Sequence, residues 1–204
     1  MPFLSNFSKK LNSLRHAHQL TFVDLALMLN QNNTAVIKRW ASEKNWPSTE
    51  VMLSISRLFG VSIDWLLSNT VSPYNEDLIL SLENELIKAQ VYIGENRISL
   101  FNPFGFPECY FNPEFRKDTY SLSVRANLIF LMTNEAMYQA YAHKHASSSS
   151  EPLLTTLEIN LFNGYNDKEI WTKAKSRHEQ YISMFLQLLY KGKEATPIFN
   201  IREL

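Results

Sequence analysis

The side chains best suited to chemistry are gathered in residues 33–45, NTAVIKRWASEKN, where amides, hydroxyls and basic groups follow one another closely. Arg39 can offer two parallel N–H donors to a planar acceptor, and Lys38 adds a mobile positive charge. Asn33 and Thr34 supply short hydrogen-bonding groups just before them. Such a set suits the binding of a polyanion such as a nucleic acid. It would equally form the solvated face of an ordinary amphipathic helix, so the flanking segments must decide between the two interpretations.

Helical spacing predicts which of these side chains face outward. One of the amides at residues 32–33 can cap a helix that runs to about Ser42. Ile37 and Trp40 are three residues apart and share a face, which we assign to the core. The side chains expected on the opposite face are Thr34, Ala35, Lys38 and Arg39.

The flanking segments predict four more short helices within residues 1–69. The first spans about residues 8–18. The second begins with TFVD, in which Thr21 and Asp24 can form a capping box. The fourth ends at Gly60, a residue suited to a left-handed helix stop. The caps of the fourth and fifth helices are predicted at Ser48 and Ser62.

In this order the segments resemble the helix-turn-helix domain of phage repressors and of the wider XRE group. The resemblance rests on TFVDLALML, an amide turn, TAVIKRW, a loop with proline, and VMLSISRLFGVSIDWLL, over about residues 8–68. It implies a mainly α fold whose first part, residues 1–69, is a five-helix lambda-repressor-like DNA-binding domain. A small, polar linker is expected over residues 70–76, followed by a mostly helical C-terminal oligomerisation and regulatory domain over residues 77–204.

The resemblance also implies that the helix around residues 33–42 lies in the major groove of DNA. Thr34 and Ala35 stand at the end where the family contacts base edges. Arg39 is the best candidate for a bidentate guanine contact, with a phosphate contact as the alternative, and Lys38 is expected to meet a phosphate. The predicted DNA-binding residues are Asn33, Thr34, Ala35, Lys38, Arg39, Ser42, Lys44 and Asn45.

The sequence departs from the family pattern in the turn and at the start of the second helix. Asn30 stands where the family usually has glycine, and asparagine can also adopt a positive φ. The amide cluster is one residue longer than the usual turn, which could shift the register. If Val36 rather than Ile37 faced inward, the outward set would move by one residue. Phe22 stands where the family often has a glutamine that contacts a phosphate, so that contact is expected to be lost or moved.

The remaining chain predicts further helices over about residues 74–89, 121–146 and 167–192. Residues 90–101 fit a frayed helix end or a short hairpin around Gly94, and their alternation favours the hairpin. The aromatic, proline-containing segment that follows is expected to be a packed loop.

Palindromic operators need two DNA-binding modules, so we expect a homodimer or homotetramer. Two apolar surfaces are candidates for the contact between copies. One is the stripe of Leu78, Leu82 and Leu86, and the other is the Ile170–Leu189 helix.

The sequence gives no support for an enzyme or for a metal site. The Ser183-Met184 pair lies inside a helix pattern, where serine is not presented as a self-cleaving nucleophile. His143 and His145 are two residues apart, on different sides of a helix, and make poor joint metal ligands. We therefore expect no catalytic residues, no metal and no cofactor.

Charge and composition point to a globular cytoplasmic protein. Residues 1–69 carry seven basic and four acidic side chains, a balance of +3, and the rest carries 13 and 16, a balance of −3. A basic first third is typical of regulators with a nucleic-acid module. No run approaches the ~18 apolar residues of a membrane span, and no signal peptide is visible. The single cysteine, Cys109, excludes an internal disulfide.

Together these features predict a sequence-specific transcriptional repressor, of phage or prophage origin, that binds a palindromic DNA operator without self-cleavage. An antirepressor protein or a small ligand would control it through the C-terminal domain. The alternatives are an antitoxin-like or adaptor protein that acts through C-terminal protein binding, and a ligand-responsive regulator whose aromatic segment, residues 101–115, lines a pocket.

Overall fold

The computed structural model describes residues 2–68, 72–93, 96–99, 108–146 and 168–201, and the side chains of most but not all of these. These residues are mainly helical, as expected. Their α-helices are α1 (Pro2–Ala17), α2 (Phe22–Met28), α3 (Thr34–Ala41), α4 (Thr49–Phe59), α5 (Ile63–Leu67), α6 (Glu76–Lys88), α7 (Pro113–Thr119), α8 (Leu122–Ala146) and α9 (Lys168–Lys191). Short 3₁₀ turns lie at Glu108–Phe111 and Gly192–Glu194.

The hairpin predicted by alternation is present. Strands β1 (Gln90–Ile93) and β2 (Asn96–Ser99) pair antiparallel, with Gln90 opposite Ser99. The two strands directly follow α6, so the chain reverses there before it reaches α7 and α8.

Local capping chemistry sets most helix starts. Thr21 and Asp24 form the predicted capping box, in which each side chain accepts a hydrogen bond from the other residue's backbone N–H. The hydroxyls of Ser48 and Ser62 cap α4 and α5. Gly60 closes α4 with φ +63°, the left-handed conformation expected of it.

Two helix starts differ from the sequence prediction. α1 begins at Pro2 rather than near Ser8, because proline suits a first helical turn and no breaker follows it. α7 begins within residues 102–115, the segment predicted to be a loop, and continues beyond it. The side chain of Asn112 accepts from the N–H of Glu114, and Pro113 begins the helix.

Among the first five helices, α1 packs against α3 and α5 and supplies Phe7, Leu11 and Leu14 to the core. Lys10 lies on the same helix and is buried. Its ammonium donates to the carbonyls of Trp65 and Ser68 at the end of α5, and burial lowers its pKa. A charged side chain thus satisfies the last carbonyls of α5 from inside the fold.

The hydrophobic core continues from these five helices into α6, α8 and α9. The ring of His18, just after α1, lies 4.7 Å from that of Phe59 on α4, and 4.3 Å from those of Phe130 on α8 and Phe199 near the C-terminus. A Cβ on Gly60 would lie 3.1 Å from the Cβ of Ala126, so α4 and α8 touch closely. The boundary over residues 70–76 remains a prediction, since residues 70 and 71 lie outside the described chain.

A buried ionic network joins α6, α7 and α8. The carboxylate of Glu83 accepts a hydrogen bond from Nε of Arg116 at 3.0 Å. It also accepts two hydrogen bonds from Arg125, at 2.8 Å each. All three side chains are at most 1% exposed. Arg125 also donates to Glu76 at 2.6 Å, and Arg116 to the carbonyl of Tyr110 at 2.7 Å. Buried charges persist only when paired and hydrogen-bonded in this way.

The leucine stripe expected to join two copies is part of the chain's own core, so that prediction was wrong. Leu82 and Leu86 are buried, and Leu78 packs against the same core. The apolar face of α9 is covered likewise over its described side chains, where Phe185 and Leu188 are buried. The side chain of Ile170 lies outside the described part. Periodicity identified apolar faces correctly but not what covers them.

Within the described residues, no helix has the length and apolarity needed to cross a membrane. Nor does the described part of the chain gather three or more potential ligand side chains that could hold a metal ion. The side chains of His143 and His145 and the aromatic residues 101–107 are outside it.

Protonation of His18 should destabilise the fold at acidic pH. Burial lowers its pKa from an ordinary 6.5 to about 3, although its hydrogen bond with the Leu14 carbonyl opposes the shift. Between these values the unfolded chain binds a proton that the folded chain does not. The free energy of unfolding should therefore fall by up to about 1.4 kcal/mol per pH unit as pH drops below 6.5.

Chemical denaturation between pH 4 and 8 measures this slope, and His18→Phe supplies the reference because it keeps a ring but cannot titrate. The difference between the two slopes isolates His18 from the carboxylates. Parallel curves would show that His18 is not buried in its neutral form.

Removing the charge of Glu83 should leave two buried arginines poorly compensated. We expect Glu83→Gln to lower the free energy of unfolding by about 3–5 kcal/mol. Glu85→Gln is the matched control on the same helix, since Glu85 pairs with Arg57 where both side chains are solvent-accessible, and should cost at most about 1 kcal/mol. Urea denaturation compares them, and equal losses would contradict a special role for the buried network.

Candidate nucleic-acid interface

The turn between α2 and α3 is closed by backbone hydrogen bonds around a left-handed asparagine. Asn30 has φ +52°, its N–H donates to the Leu27 carbonyl at 3.1 Å, and the N–H of Gln31 donates to the Ala26 carbonyl at 2.7 Å. This paired arrangement is a Schellman motif. The positive φ predicted for Asn30 is confirmed, and the amide cluster is accommodated without a glycine.

Asn33 starts α3. Its side-chain oxygen accepts the N–H of Ala35 at 2.7 Å, which settles the choice between Asn32 and Asn33 as the cap. The cap uses the carbonyl oxygen, so the NH₂ group of the same side chain remains a donor at an exposed position.

The inner face of α3 is fixed by Ile37 and Trp40, which are 0% and 4% exposed, as predicted. α1 holds the C-terminal end of α3 through two further bonds. The hydroxyl of Ser8 donates to the Trp40 carbonyl at 2.5 Å, and the amide of Asn12 donates to the Ala41 carbonyl at 2.9 Å. Because these bonds occupy carbonyls left over at the helix end, they fix α3 both in rotation and along its axis.

The outer face of α3 carries the predicted site residues. Ala35, Lys38 and Arg39 are exposed, whereas Thr34 is half-buried. Val36 is also half-buried and packs on the core, but Ile37 is the residue that points fully inward. The inward register is therefore the one predicted, with Arg39 outside.

The loop after α3 begins with a second left-handed turn. Glu43 has φ +60°, and the N–H of Lys44 donates back to the Arg39 carbonyl at 2.9 Å. The hydroxyl of Ser42 donates to the Lys38 carbonyl at 2.7 Å, so that hydroxyl hydrogen is already engaged. Ser42, Lys44 and Asn45 are all exposed. All eight predicted site residues thus lie on α3 or within four residues of its ends, and their role in DNA binding stays a prediction.

Sequence inspection missed a group of cations around the start of α2. The Arg15 guanidinium carbon lies 4.3 Å from the centre of the Phe22 ring, and Lys38 Nζ lies 5.9 Å from it. Arg15 also donates to the Leu20 carbonyl at 3.0 Å and lies 2.8 Å from Nε2 of His16. Only the departure at Phe22 hinted at this site, because Arg15, Phe22 and Lys38 lie on three separate helices.

Electrostatically, the nearby acidic side chain of α2 is compensated from the C-terminal part. Asp24 accepts a hydrogen bond from Arg177 of α9 at 2.9 Å, in addition to those from Thr21. Burial alone would raise the pKa of Asp24, but these bonds from Arg177 and Thr21 bring it below its ordinary value. The carboxylate is therefore ionised at neutral pH but does not leave an uncompensated negative charge beside the cations.

Chemically, this surface offers hydrogen-bond donors and positive charge on a helix held rigidly from behind. α2, the turn and α3 form a helix-turn-helix. Its second helix presents short side chains at the N-terminal end and two basic side chains in its C-terminal half.

Comparison with known proteins finds a relative that is named as a helix-turn-helix regulator. The chain is 40% identical over 79 residues to the HTH-type transcriptional activator BcrR of Enterococcus faecalis. The match covers 39% of this chain but only 35% of that protein. Neither a protein-family model nor a solved structure matches the chain.

The left-handed turn residue should be replaceable by glycine but not by alanine. Asn30→Gly should leave the free energy of unfolding within about 0.5 kcal/mol of wild type, because glycine adopts φ +52° without strain. Asn30→Ala should lower it by about 1 kcal/mol, because a Cβ without a compensating polar group disfavours this conformation. Thermal and urea denaturation compare the pair, and a stable alanine variant would contradict the turn geometry.

Proposed function

We propose that the chain is a sequence-specific DNA-binding transcription regulator. The observation that carries this proposal is how α3 is held and what it exposes. Its Ile37 and Trp40 side chains and its C-terminal carbonyls are held by the core and by α1, while Ala35, Lys38 and Arg39 are exposed along its outer face. A helix that must enter a groove and read base edges needs this combination of a fixed back and a polar, basic front. The similarity to an HTH-type transcriptional activator supports the same class.

Roles within the surface follow from side-chain chemistry. Arg39 can donate two hydrogen bonds to O6 and N7 of guanine, which makes it the proposed base-reading residue. Lys38 and Lys44 are proposed to contact phosphates as point charges. Thr34 and Ala35 would touch base edges near the N-terminal end of the helix, with the Asn33 amide as a neighbouring donor.

Whether the protein represses or activates transcription is a separate question. Resemblance to phage repressors favours a repressor of phage or prophage origin, and we retain repression as the proposal, although the relative is named an activator. We further propose that two copies bind a palindromic operator and that control comes from a protein or ligand at the C-terminal part rather than from self-cleavage. Ser183 is an exposed residue in the middle of α9, which is not the strained turn that presents a nucleophile. A promoter–reporter fusion decides between repression and activation.

The central test is the effect of Arg39→Ala on DNA selectivity. Selection of duplexes from a random library with the full chain supplies the specific site, and fluorescence anisotropy then measures binding to that site and to a random duplex. We expect Arg39→Ala to weaken specific binding about 10- to 100-fold, the value of one bidentate base contact, and random binding much less. Wild-type affinity should fall steeply with salt.

Arg57→Ala is the matched control, because Arg57 is an exposed arginine of the same five-helix part that pairs with Glu85 on α6. It should leave both affinities nearly unchanged. An equal loss on specific and random DNA for Arg39→Ala would assign Arg39 to the phosphate backbone. Absence of any duplex binding by the wild-type chain would overturn the proposed function.

A further inference from the structure

We propose that Phe22 is a positioning residue whose ring holds Arg15 and Lys38 together as a clamp for a DNA backbone phosphate at the start of α2. The inference rests on the proposed function and deepens it. Its direct support is the convergence of two cations on one ring, at 4.3 Å for Arg15 and 5.9 Å for Lys38. Both distances are within the range over which a cation is attracted to an aromatic face.

Arg15 is already organised for this role. Its two outer nitrogens reach the Leu20 carbonyl at 3.0 Å and Nε2 of His16 at 2.8 Å. Since a guanidinium can only donate, the His16 nitrogen accepts in this contact. Each outer nitrogen carries two hydrogens, so one on each remains for an anion. The three contacts hold the guanidinium still, which reduces the entropy lost when a phosphate binds.

Lys38 gains more from the ring because it is an exposed side chain on a flexible four-carbon stem. It lies on the outer face of α3, one residue before the proposed base-reading Arg39. Attraction to the Phe22 ring restricts its ammonium to the side of α3 that faces α2. The clamp is therefore continuous with the base-reading surface, which identifies its ligand as the backbone of the same DNA rather than a separate small anion.

The local charge favours an anion there. Asp24, two residues beyond Phe22, is the acidic residue in the first turn of α2, and its carboxylate is paired with Arg177 at 2.9 Å. A phosphate beside Arg15 and Lys38 therefore meets two positive groups and a compensated carboxylate. This supplies a phosphate contact at the position where Phe22 itself has no hydrogen-bonding group.

Three variants of the full chain test the clamp. Phe22→Leu keeps apolar bulk but removes the aromatic face, Phe22→Tyr keeps the face, and Lys38→Met removes one cation. Binding to the selected duplex and to a random duplex of equal length is measured over a series of salt concentrations, well below the melting temperature of each variant.

We expect Phe22→Leu to weaken binding to both duplexes by a similar factor, about threefold to tenfold, and to flatten the salt dependence. Phe22→Tyr should bind within about twofold of wild type. Combining Phe22→Leu with Lys38→Met should cost less than the product of the two single losses, because both remove the same contact.

Several results would overturn the inference while leaving the proposed function intact. One is a Phe22→Leu variant that binds DNA with wild-type affinity, and another is a Phe22→Tyr variant that binds as weakly as Phe22→Leu. The others are losses of affinity in the double variant that multiply fully, and a loss of affinity confined to the selected duplex. If the wild-type chain bound neither duplex, the proposed function would fail first and the clamp with it.

Discussion

The packing of the His18 ring against three aromatic side chains is the contact on which the arrangement of the chain depends. It brings together the end of α1, Phe59 on α4, Phe130 on α8 and Phe199 near the C-terminus, four points far apart in sequence. The imidazole is neutral there because burial lowers its pKa to about 3. One side chain therefore closes the core of the helix-turn-helix and at the same time attaches it to the remaining helices.

This attachment changes how the proposed DNA-binding surface can be controlled. A DNA-binding domain on a flexible linker could change its distance from a second copy freely. Here α3 is held by α1, and α1 is held by the shared core. The pair between Asp24 on α2 and Arg177 on α9 is a second connection. Under the proposed function, a partner that displaced α8 or α9 would also move the helix-turn-helix, without any contact to the DNA surface itself.

Features set by neighbours in sequence could be predicted, and those set by distant partners could not. The caps at Thr21, Ser48 and Ser62 depend on groups within three residues, and Ile37 and Trp40 follow from helical spacing. Periodicity also marked the leucine face of α6 as apolar, but it could not show that the chain's own core covers that face. The partners of Glu83 lie 33 and 42 residues away, and the two cations on the Phe22 ring of α2 come from α1 and α3. The eight predicted site residues are close in sequence and lie on one surface, whereas the contacts of the proposed phosphate clamp join distant segments and could not be predicted.

The close approach of Gly60 to Ala126 bears on how such a protein can evolve. A methyl group added at Gly60 would already crowd α8, at 3.1 Å from the Cβ of Ala126. This contact therefore limits which C-terminal halves could be combined with this helix-turn-helix. Any exchange must carry over a matching face, so the aromatic and glycine positions that meet α8 should change in concert when the second half of the gene is replaced.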